Sequence, residues 1–435
     1  MRVRITILIT KLIRAILVRM GRGGSLPGRI ALKLCPQVLN DISYPNKVVM
    51  VTGTNGKTTT SNMVYEVLSK QYDRVIGNRK GDNLLEGIVT LVLANTGMNL
   101  RVKADAMVIE VDELNVPKVL PKVKVTDFIV NNFFRDQLDR AGEMETIVTK
   151  VAHAIQNYEG RLLLNGDDPN VARLGYHRDN TYYFGVNKNA SSKDKTTEAS
   201  EGKFCFHCSS ELVYDYYQYS HIGRFHCPSC DFGNYKLSVV ADQVDLENSS
   251  FFVSNDVFHA PQDAIYSIYN CMAVILLAKL SSISMEDVKQ VLAHFELKDG
   301  RMEKFFIGRD CLLNLVKNPT GANETMKYIE RDQEAKDILI ILNDNDQDGK
   351  DVSWIWDANF DLIMGEDVKN IICSGLRAYD MALRLKYTDY QGNIIVKESM
   401  EEGVHELKKL SHHAYVIATY TALQPIRAVL RRNEQ

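Results

Sequence analysis

The run Gly53-Thr54-Asn55-Gly56-Lys57-Thr58-Thr59-Thr60, set directly after the apolar stretch Val48-Val49-Met50-Val51, constrains this chain more than any other feature. A strand that delivers a glycine-turned loop onto the start of a helix aims free backbone N–H groups and the positive helix end at one point, where phosphate is held. Lys57 adds a point charge there, and Thr58 offers a hydroxyl to a magnesium ion. The following Ser61-Asn62-Met63-Val64-Tyr65-Glu66-Val67-Leu68 has the apolar spacing of a packed helix. Gly53, Thr54, Asn55, Gly56, Lys57, Thr58 and Thr59 are therefore candidate nucleotide-binding residues. The plain alternative is a tight strand–helix turn with an exposed lysine.

Such a loop belongs to α/β architecture, and the flanking sequence agrees. From about residue 46 to 170 short β-rich runs at 106–111, 128–132 and 161–164 alternate with helical patterns such as 143–155. Alternation of this kind predicts a mostly parallel sheet covered by helices, with ligands bound where strands end. A polar stretch at 187–203 reads as a flexible junction. It opens into an insert at 204–250 rich in Tyr, Phe, Cys and His. Helices are predicted over 264–280 and 285–295. A second α/β unit follows from about 305, with strands at 338–342, 370–373 and 414–418. The 435 residues thus divide into a leader (1–45), a nucleotide-binding domain (46–300) carrying the insert, and a C-terminal domain (301–435).

The totals exclude some functions. A net charge of −3 argues against a nucleic-acid coat, which needs a basic surplus. Eight cysteines are too few for a disulfide scaffold of this length and fit a reducing, cytoplasmic setting. No membrane-spanning segment is predicted, because Lys11 and Arg14 break the N-terminal apolar stretch. On a helix, Arg4, Lys11, Arg14 and Arg22 fall on one side and Ile5, Ile9, Leu12, Ile13 and Ile16 on the remainder. Two readings follow: the helix lies on an anionic membrane, at the inner face of the cell membrane, or it docks its apolar side on the protein's own body.

Cys205-Phe206-His207-Cys208 and Cys227-Pro228-Ser229-Cys230 form two CxxC knuckles separated by 18 residues. Two such turns supply four thiolates that close a tetrahedron around zinc and leave no open position, which makes the site structural. Tyr214, Tyr216, Tyr217 and Tyr219 then form the small core of a zinc ribbon. The competing use of those rings, stacking nucleic-acid bases, is opposed by Glu211, Asp215 and Asp231 on the flanks.

Glu110 ends a strand beside the phosphate loop, where a carboxylate has to stand to share a magnesium ion with phosphate. Asp112 and Glu113 lie just beyond, and Glu110 is the best placed of the three. Asn165-Gly166-Asp167-Asp168-Pro169 caps another strand with polar groups, either to hold nucleotide or as an Asx turn.

Taken in order, residues 53–60, Glu110, Asp136-Gln137-Leu138-Asp139, 165–169 and Gly300-Arg301-Met302-Glu303 resemble the Mur ligases, ATP-dependent amide-forming enzymes of peptidoglycan synthesis. The cysteine insert narrows the resemblance to the MurT-type ligase subunits of lipid II isoglutaminyl synthases. So do Lys317-Asn318-Pro319-Thr320-Gly321-Ala322-Asn323 and Asp348-Gly349-Lys350-Asp351-Val352-Ser353-Trp354. The resemblance covers nearly the whole chain. It implies a P-loop Mur ligase-type central domain, an inserted four-cysteine zinc ribbon and a Rossmann-like C-terminal domain, with ATP, Mg2+ and Zn2+ as cofactors. It also implies a heterodimer with a class I glutaminase (GatD-like) that supplies ammonia, and amidation of the α-carboxyl of D-glutamate in the lipid II stem peptide. Lys57 and Glu110 are then catalytic, Thr58 and Glu110 hold magnesium, and Arg301 reaches the phosphates. Asn165, Asp167 and Asn270 lie at the nucleotide, while Asp351 supports the partner's Cys–His pair.

Departures from the family pattern are equally specific. Gln137 stands where the family usually has a metal-binding histidine, and Val151 where many members carry a carbamylated lysine. Lys150 is one step, or 100° of helix, away from that position. Ser267 and Asn270 replace a pair of asparagines on the adenine side. Three alternatives remain open in the sequence: a stand-alone Mur-type amino-acid ligase, a zinc-ribbon nucleic-acid-binding ATPase, and a nucleotide-binding scaffold without catalysis.

Overall fold

The computed structural model describes residues 1–20, 24–79, 82–135, 144–196, 201–297 and 302–434. Two compact units are present, one built from Met1–Phe134 and Met144–Phe295, the other centred on Glu296–Gln435.

In the first unit the strands are β1 (Lys47–Thr52), β2 (Val75–Gly77), β3 (Ala106–Glu110), β4 (Asp127–Val130), β5 (Arg161–Asn165), β6 (Thr181–Val186), β7 (Val213–Tyr219), β8 (Ile222–His226), β9 (Leu237–Asp245), β10 (Ser250–Val253) and β11 (Asp256–His259). Nine of them form one sheet in the order β11-β10-β9-β6-β5-β4-β1-β3-β2. Pairing is parallel from β2 through β9 and antiparallel at β10 and β11. Every residue of β1 is buried, as expected for a strand covered on both faces. The chain leaves β3 on one side of β1 and resumes as β4 on the other. Successive loops therefore part at the carboxyl ends of β1 and β4, the place where open α/β sheets bind ligands. One face is covered by α3 (Lys57–Leu68) and by the helix Ile265–Leu280, which is apolar on nearly all sides and correspondingly buried.

Two sequence readings are corrected here. The ribbon is shorter than 204–250: only β7 and β8 form its two-stranded sheet, and β9 returns to the main sheet beside β6. Val239 and Ala241 of β9 bury their side chains in the main core, which ties this strand to the domain. The polar segment 187–196 is not a free linker. Lys193 and Tyr217 exchange backbone hydrogen bonds of 2.8 and 2.7 Å, and Asn189 Nδ2 donates to Gln218 Oε1 at 2.9 Å. These bonds tie the segment to β7. Of the two sequence readings of α1 (Arg2–Arg19), docking of the apolar side is not what the structure shows, since Ile5, Leu12 and Ile16 stay exposed. The helix buries Thr6, Ile7 and Thr10 against α2 (Leu26–Leu34) and α4 (Leu85–Asn95). Arg22 lies outside the described residues.

The second unit has β12 (Glu303–Phe306), β13 (Asp310–Leu315), β14 (Lys336–Ile341), β15 (Val368–Ser374), β16 (Asn393–Val396) and β17 (His413–Ala418). Their order is β12-β13-β17-β14-β15-β16, parallel except for β12. Ile338 and Ile340 pack into a core on one face of this sheet and Leu339 and Ile341 on the other, the alternation of a strand covered twice. The fold class is the α/β architecture that the alternating pattern predicts.

Candidate functional site

The loop after β1 is shaped by two glycines whose backbones no other residue adopts easily. Gly53 has φ +137° and Gly56 φ +80°. A Cβ on Gly53 would lie 3.0 Å from the backbone N of Asn132, and one on Gly56 would lie 2.2 Å from Asn270 Oδ1. Gly56 caps α3, so the first amides of that helix point into the crevice.

Segment 131–134, just beyond β4, holds the loop in place. Thr54 N donates to Asn132 O at 2.9 Å, Asn55 N donates to Asn132 Oδ1 at 2.8 Å, and Phe134 N donates to Thr54 Oγ1 at 3.0 Å. Behind the loop, Asn131 Nδ2 donates to Thr60 Oγ1 at 2.9 Å, and Asn270 Oδ1 accepts from Thr60 Oγ1 at 3.3 Å. Asn270 therefore faces Gly56 and Thr60 from behind, buried, and buttresses the loop. Thr59 is buried as well.

The three acids after β3 divide the work. Lys57 Nζ lies 3.2 Å from both carboxylate oxygens of Glu113 and also donates to Gly53 O. Asp112 accepts from Leu114 N at 3.1 Å and caps the turn between them. Glu110 is 2% exposed. Its Oε1 accepts from Thr58 Oγ1 at 3.2 Å and from Asn83 Nδ2 at 3.0 Å, while its buried Oε2 has no hydrogen-bond partner among the described residues. Asn78 fixes the Glu110 backbone through both its amide groups, at 2.9 and 2.8 Å. A buried carboxylate oxygen without a donor, next to a threonine hydroxyl, is the donor set a hard divalent cation takes. The residues present fit magnesium.

Asn165 and Asp167 take the Asx-turn alternative of the sequence reading. Both are fully buried. Asp167 Oδ2 accepts from Val186 N and Tyr269 OH, each at 2.7 Å, and Oδ1 faces Arg224 at 3.8 Å. Burial raises its pKa against the pull of Arg224. These contacts make Asp167 an internal clamp between β6, the helix Ile265–Leu280 and the ribbon. Asn165 Oδ1 accepts from Asp167 N at 3.0 Å. Asp168 Oδ1 caps the short helix Pro169–Ala172, and its Oδ2 accepts from Phe133 N at 2.9 Å.

Cys205, Cys208, Cys227 and Cys230 converge, with all four sulfurs within 4.8 Å of one another. Separations of 3.4 Å (Cys208–Cys227) and 3.6 Å (Cys205–Cys230) approach the edge of about 3.8 Å in a tetrahedral Zn–S4 centre. Phe206, Phe225, Phe232 and Tyr176 pack around the knuckles, and Tyr214 stacks on Tyr217 at 4.3 Å. The hairpin tip between β7 and β8 is driven into the central unit. Tyr219 and Ile222 join the main core, and His221, 0% exposed, stands 4.9 Å from Phe134 and 3.4 Å from Asp168 Oδ1.

In the second unit, Asp351 Oδ1 accepts from Ser353 N at 2.8 Å, an Asx turn that leads into the helix Trp354–Asp357. The bonds from Ser353 hold its carboxyl below the usual range, so it stays ionised at neutral pH. Asn318 caps the helix Pro319–Arg331 by accepting from Gly321 N, and Asp348 accepts from Thr421 N at 2.7 Å. Arg301, together with Gly300 and the segment Asp136-Gln137-Leu138-Asp139, lies outside the described residues.

The structure thus brings together the phosphate loop, Lys57, Thr58 and Glu110, and separately the four cysteines. Sequence reasoning missed the supports: Asn83, Asn131, Asn132, Glu113 as the Lys57 partner, and His221.

Comparison with known proteins agrees with this geometry. Residues 51–227 match the family described as Mur ligase middle domain, and residues 315–423 match the MurT ligase C-terminal family. The chain is 33% identical over 422 residues to the "Lipid II isoglutaminyl synthase (glutamine-hydrolyzing) subunit MurT" of Staphylococcus aureus (strain N315), covering 95% of this chain and 94% of that one. It is 32% identical over 427 residues to the protein of the same description from Streptococcus pneumoniae (strain ATCC BAA-255 / R6), with the same coverage of both chains. Among solved structures, a pseudomurein peptide ligase type C from Methanothermus fervidus shares the fold, with a TM-score of 0.66 at 21% identity over 89% of this chain and 78% of that one. A phosphate loop with a paired lysine, a magnesium-type carboxylate and a four-cysteine ribbon, on a chain alike from end to end, place this protein in the MurT family of Mur ligase-type proteins.

Proposed function

We propose that this chain is the ATP-using subunit of a glutamine-dependent synthase that converts the α-carboxyl of D-glutamate in the lipid II stem peptide to the amide. The observation that carries the reading is the convergence at one end of the sheet of the α3 amides, Lys57 and a Glu110 Oε2 without a partner among the described residues.

A carboxylate is a poor electrophile because its negative charge repels nucleophiles. In the proposed sequence a carboxylate oxygen attacks the γ-phosphorus of ATP, and the bond to the β,γ-bridging oxygen breaks to release ADP. Ammonia then adds to the acyl carbon, the acyl C–O bond breaks to release phosphate, and the nitrogen gives up a proton. Lys57 and the loop amides stabilise charge on the β- and γ-phosphates. Thr58 and Glu110 would hold Mg2+, which when bound neutralises phosphate charge. The cysteine quartet would hold Zn2+ as a structural ion.

A companion class I glutaminase, GatD-like in type, is the proposed ammonia source, in keeping with the word "subunit" in the relatives' descriptions. Its proposed seat is an aromatic face on the second unit. Trp356, Tyr379, Leu383 and Tyr387 are 49, 65, 50 and 73% exposed, and Trp356 meets Tyr387 edge to face at 5.4 Å. Large exposed aromatic residues of this kind are what protein interfaces concentrate. Asp351, three residues before the helix that carries Trp356, is the proposed acid at that seat.

The test separates ligation from ammonia supply. Ammonium salt should support lipid II amidation by this chain alone, and glutamine should do so only with the companion subunit. The double variant Leu383→Asp/Tyr387→Asp should weaken subunit binding at least about 30-fold, a hot-spot effect, while ammonium-driven amidation continues. Incorporation of an amino acid in place of ammonia would instead make the protein a stand-alone ligase.

A further inference from the structure

The N-terminal helix presents an apolar stripe to solvent that the protein's own fold leaves uncovered. On the inner side of α1, the hydroxyls of Thr6 and Thr10 donate to the carbonyls of Arg2 and Thr6, which lets both threonines be buried beside Ile7. Two ties fix the helix orientation: Arg2 Nε donates to Leu34 O and Lys11 Nζ to Thr96 O, both at 2.6 Å. The opposite side carries Ile5, Leu8, Leu12 and Ile16, which are 49, 54, 65 and 51% exposed. Their spacing of three, four and four residues puts them on one face. Arg4, Arg14 and Arg19 are exposed along the same helix.

Charge identifies the occupant. The first 40 residues contain eight Lys and Arg and no Asp or Glu, although the whole chain carries −3. Residues 41–435 therefore hold a surplus of eleven acids, and the excess basic charge lies in the N-terminal 40 residues that include the exposed apolar stripe. A second copy docked on this face would set its arginines against the same arginines. An anionic lipid surface satisfies both halves of the pattern, taking leucine and isoleucine side chains into the headgroup–acyl boundary and pairing arginines with lipid phosphates. No described helix is long and apolar enough to cross a membrane.

We infer that α1 is a membrane-surface helix: its Thr6–Ile7–Thr10 side is clamped to the protein, and its Ile5–Leu8–Leu12–Ile16 side lies in the interface of an anionic bilayer. This stands apart from the ligase reading, and its test uses no substrate and no nucleotide.

The experiment is flotation of the full chain with lipid vesicles at physiological salt, using phosphatidylcholine alone or with about a third phosphatidylglycerol. The protein should float with the anionic vesicles and partition at least about tenfold less onto the neutral ones. Leu8→Asp/Leu12→Asp and Arg4→Glu/Arg14→Glu/Arg19→Glu should each lower anionic partition at least about tenfold. Both sets are at solvent-exposed positions, so unchanged thermal melting checks that the variants fold. Failure of the unmodified chain to float with anionic vesicles overturns the inference, as does equal flotation of the Leu8/Leu12 variant. A dimer in size-exclusion chromatography that Leu8→Asp/Leu12→Asp splits to monomer also overturns it, by making the stripe a contact between copies.

Discussion

Lys57→Ala is expected to lower turnover of lipid II by about a thousandfold or more in the presence of companion subunit, glutamine and ATP·Mg. The size of the effect follows from how the lysine is held. Its ammonium is fixed between the two Glu113 oxygens and the Gly53 carbonyl, with its side chain only 14% exposed. The substitution also leaves Glu113, whose side chain is 10% exposed, without its cation beside the incoming phosphates. ADP release in a coupled assay measures the loss, and thermal melting verifies that the protein is folded. Near-normal turnover by a folded variant would remove Lys57 from the mechanism.

Loss of the ribbon's metal is expected to have the next largest effect. A lone two-stranded hairpin is marginal in water, so an ion held by the four cysteines would add to the ribbon's order. The hairpin tip is also a plug in the central core. Tyr219, His221 and Ile222 are buried there, His221 packs on Phe134, and Phe134 N bonds Thr54 of the phosphate loop. Cys205→Ser should therefore abolish stoichiometric zinc, lower the melting temperature by more than about 5 °C, and weaken ATP binding through the loosened 131–134 segment. Metal analysis, calorimetric melting and ATP titration report these three outcomes. A variant that loses its metal with melting and ATP affinity unchanged would show the ribbon to be an independent appendage.

The legible part of this protein was local. The phosphate loop could be read because its glycine turn, lysine and threonine are contiguous, and the Cys knuckles because the metal imposes short spacings on each turn. Glu110 could be read from its place at a strand end. The supports of the loop could not, because Asn131, Asn132 and Asn270 reach it from distant segments and carry no local signature. Hydropathy left α1 undecided for a different reason: two threonines that bond their own helix carbonyls are buried, and leucines are left outside. For 165–169 the sequence left nucleotide binding and an Asx turn open; the turn is present, and the partners of Asp167, an amide, a tyrosine and an arginine from three other elements, carry no local signature. The extent of the ribbon was misread because nothing local in β9 marks its sheet partner β6, which lies about fifty residues earlier.

The central claim is that the chain turns a lipid-borne carboxyl into an acyl phosphate. Lipid II labelled with heavy oxygen in the D-glutamate α-carboxyl tests it most directly, with the amidation run to completion and the released phosphate analysed by mass spectrometry. The account predicts one labelled oxygen in each phosphate and one retained in each amide, because the oxygen that attacks phosphorus departs with it. Amide formed alongside unlabelled phosphate would contradict it.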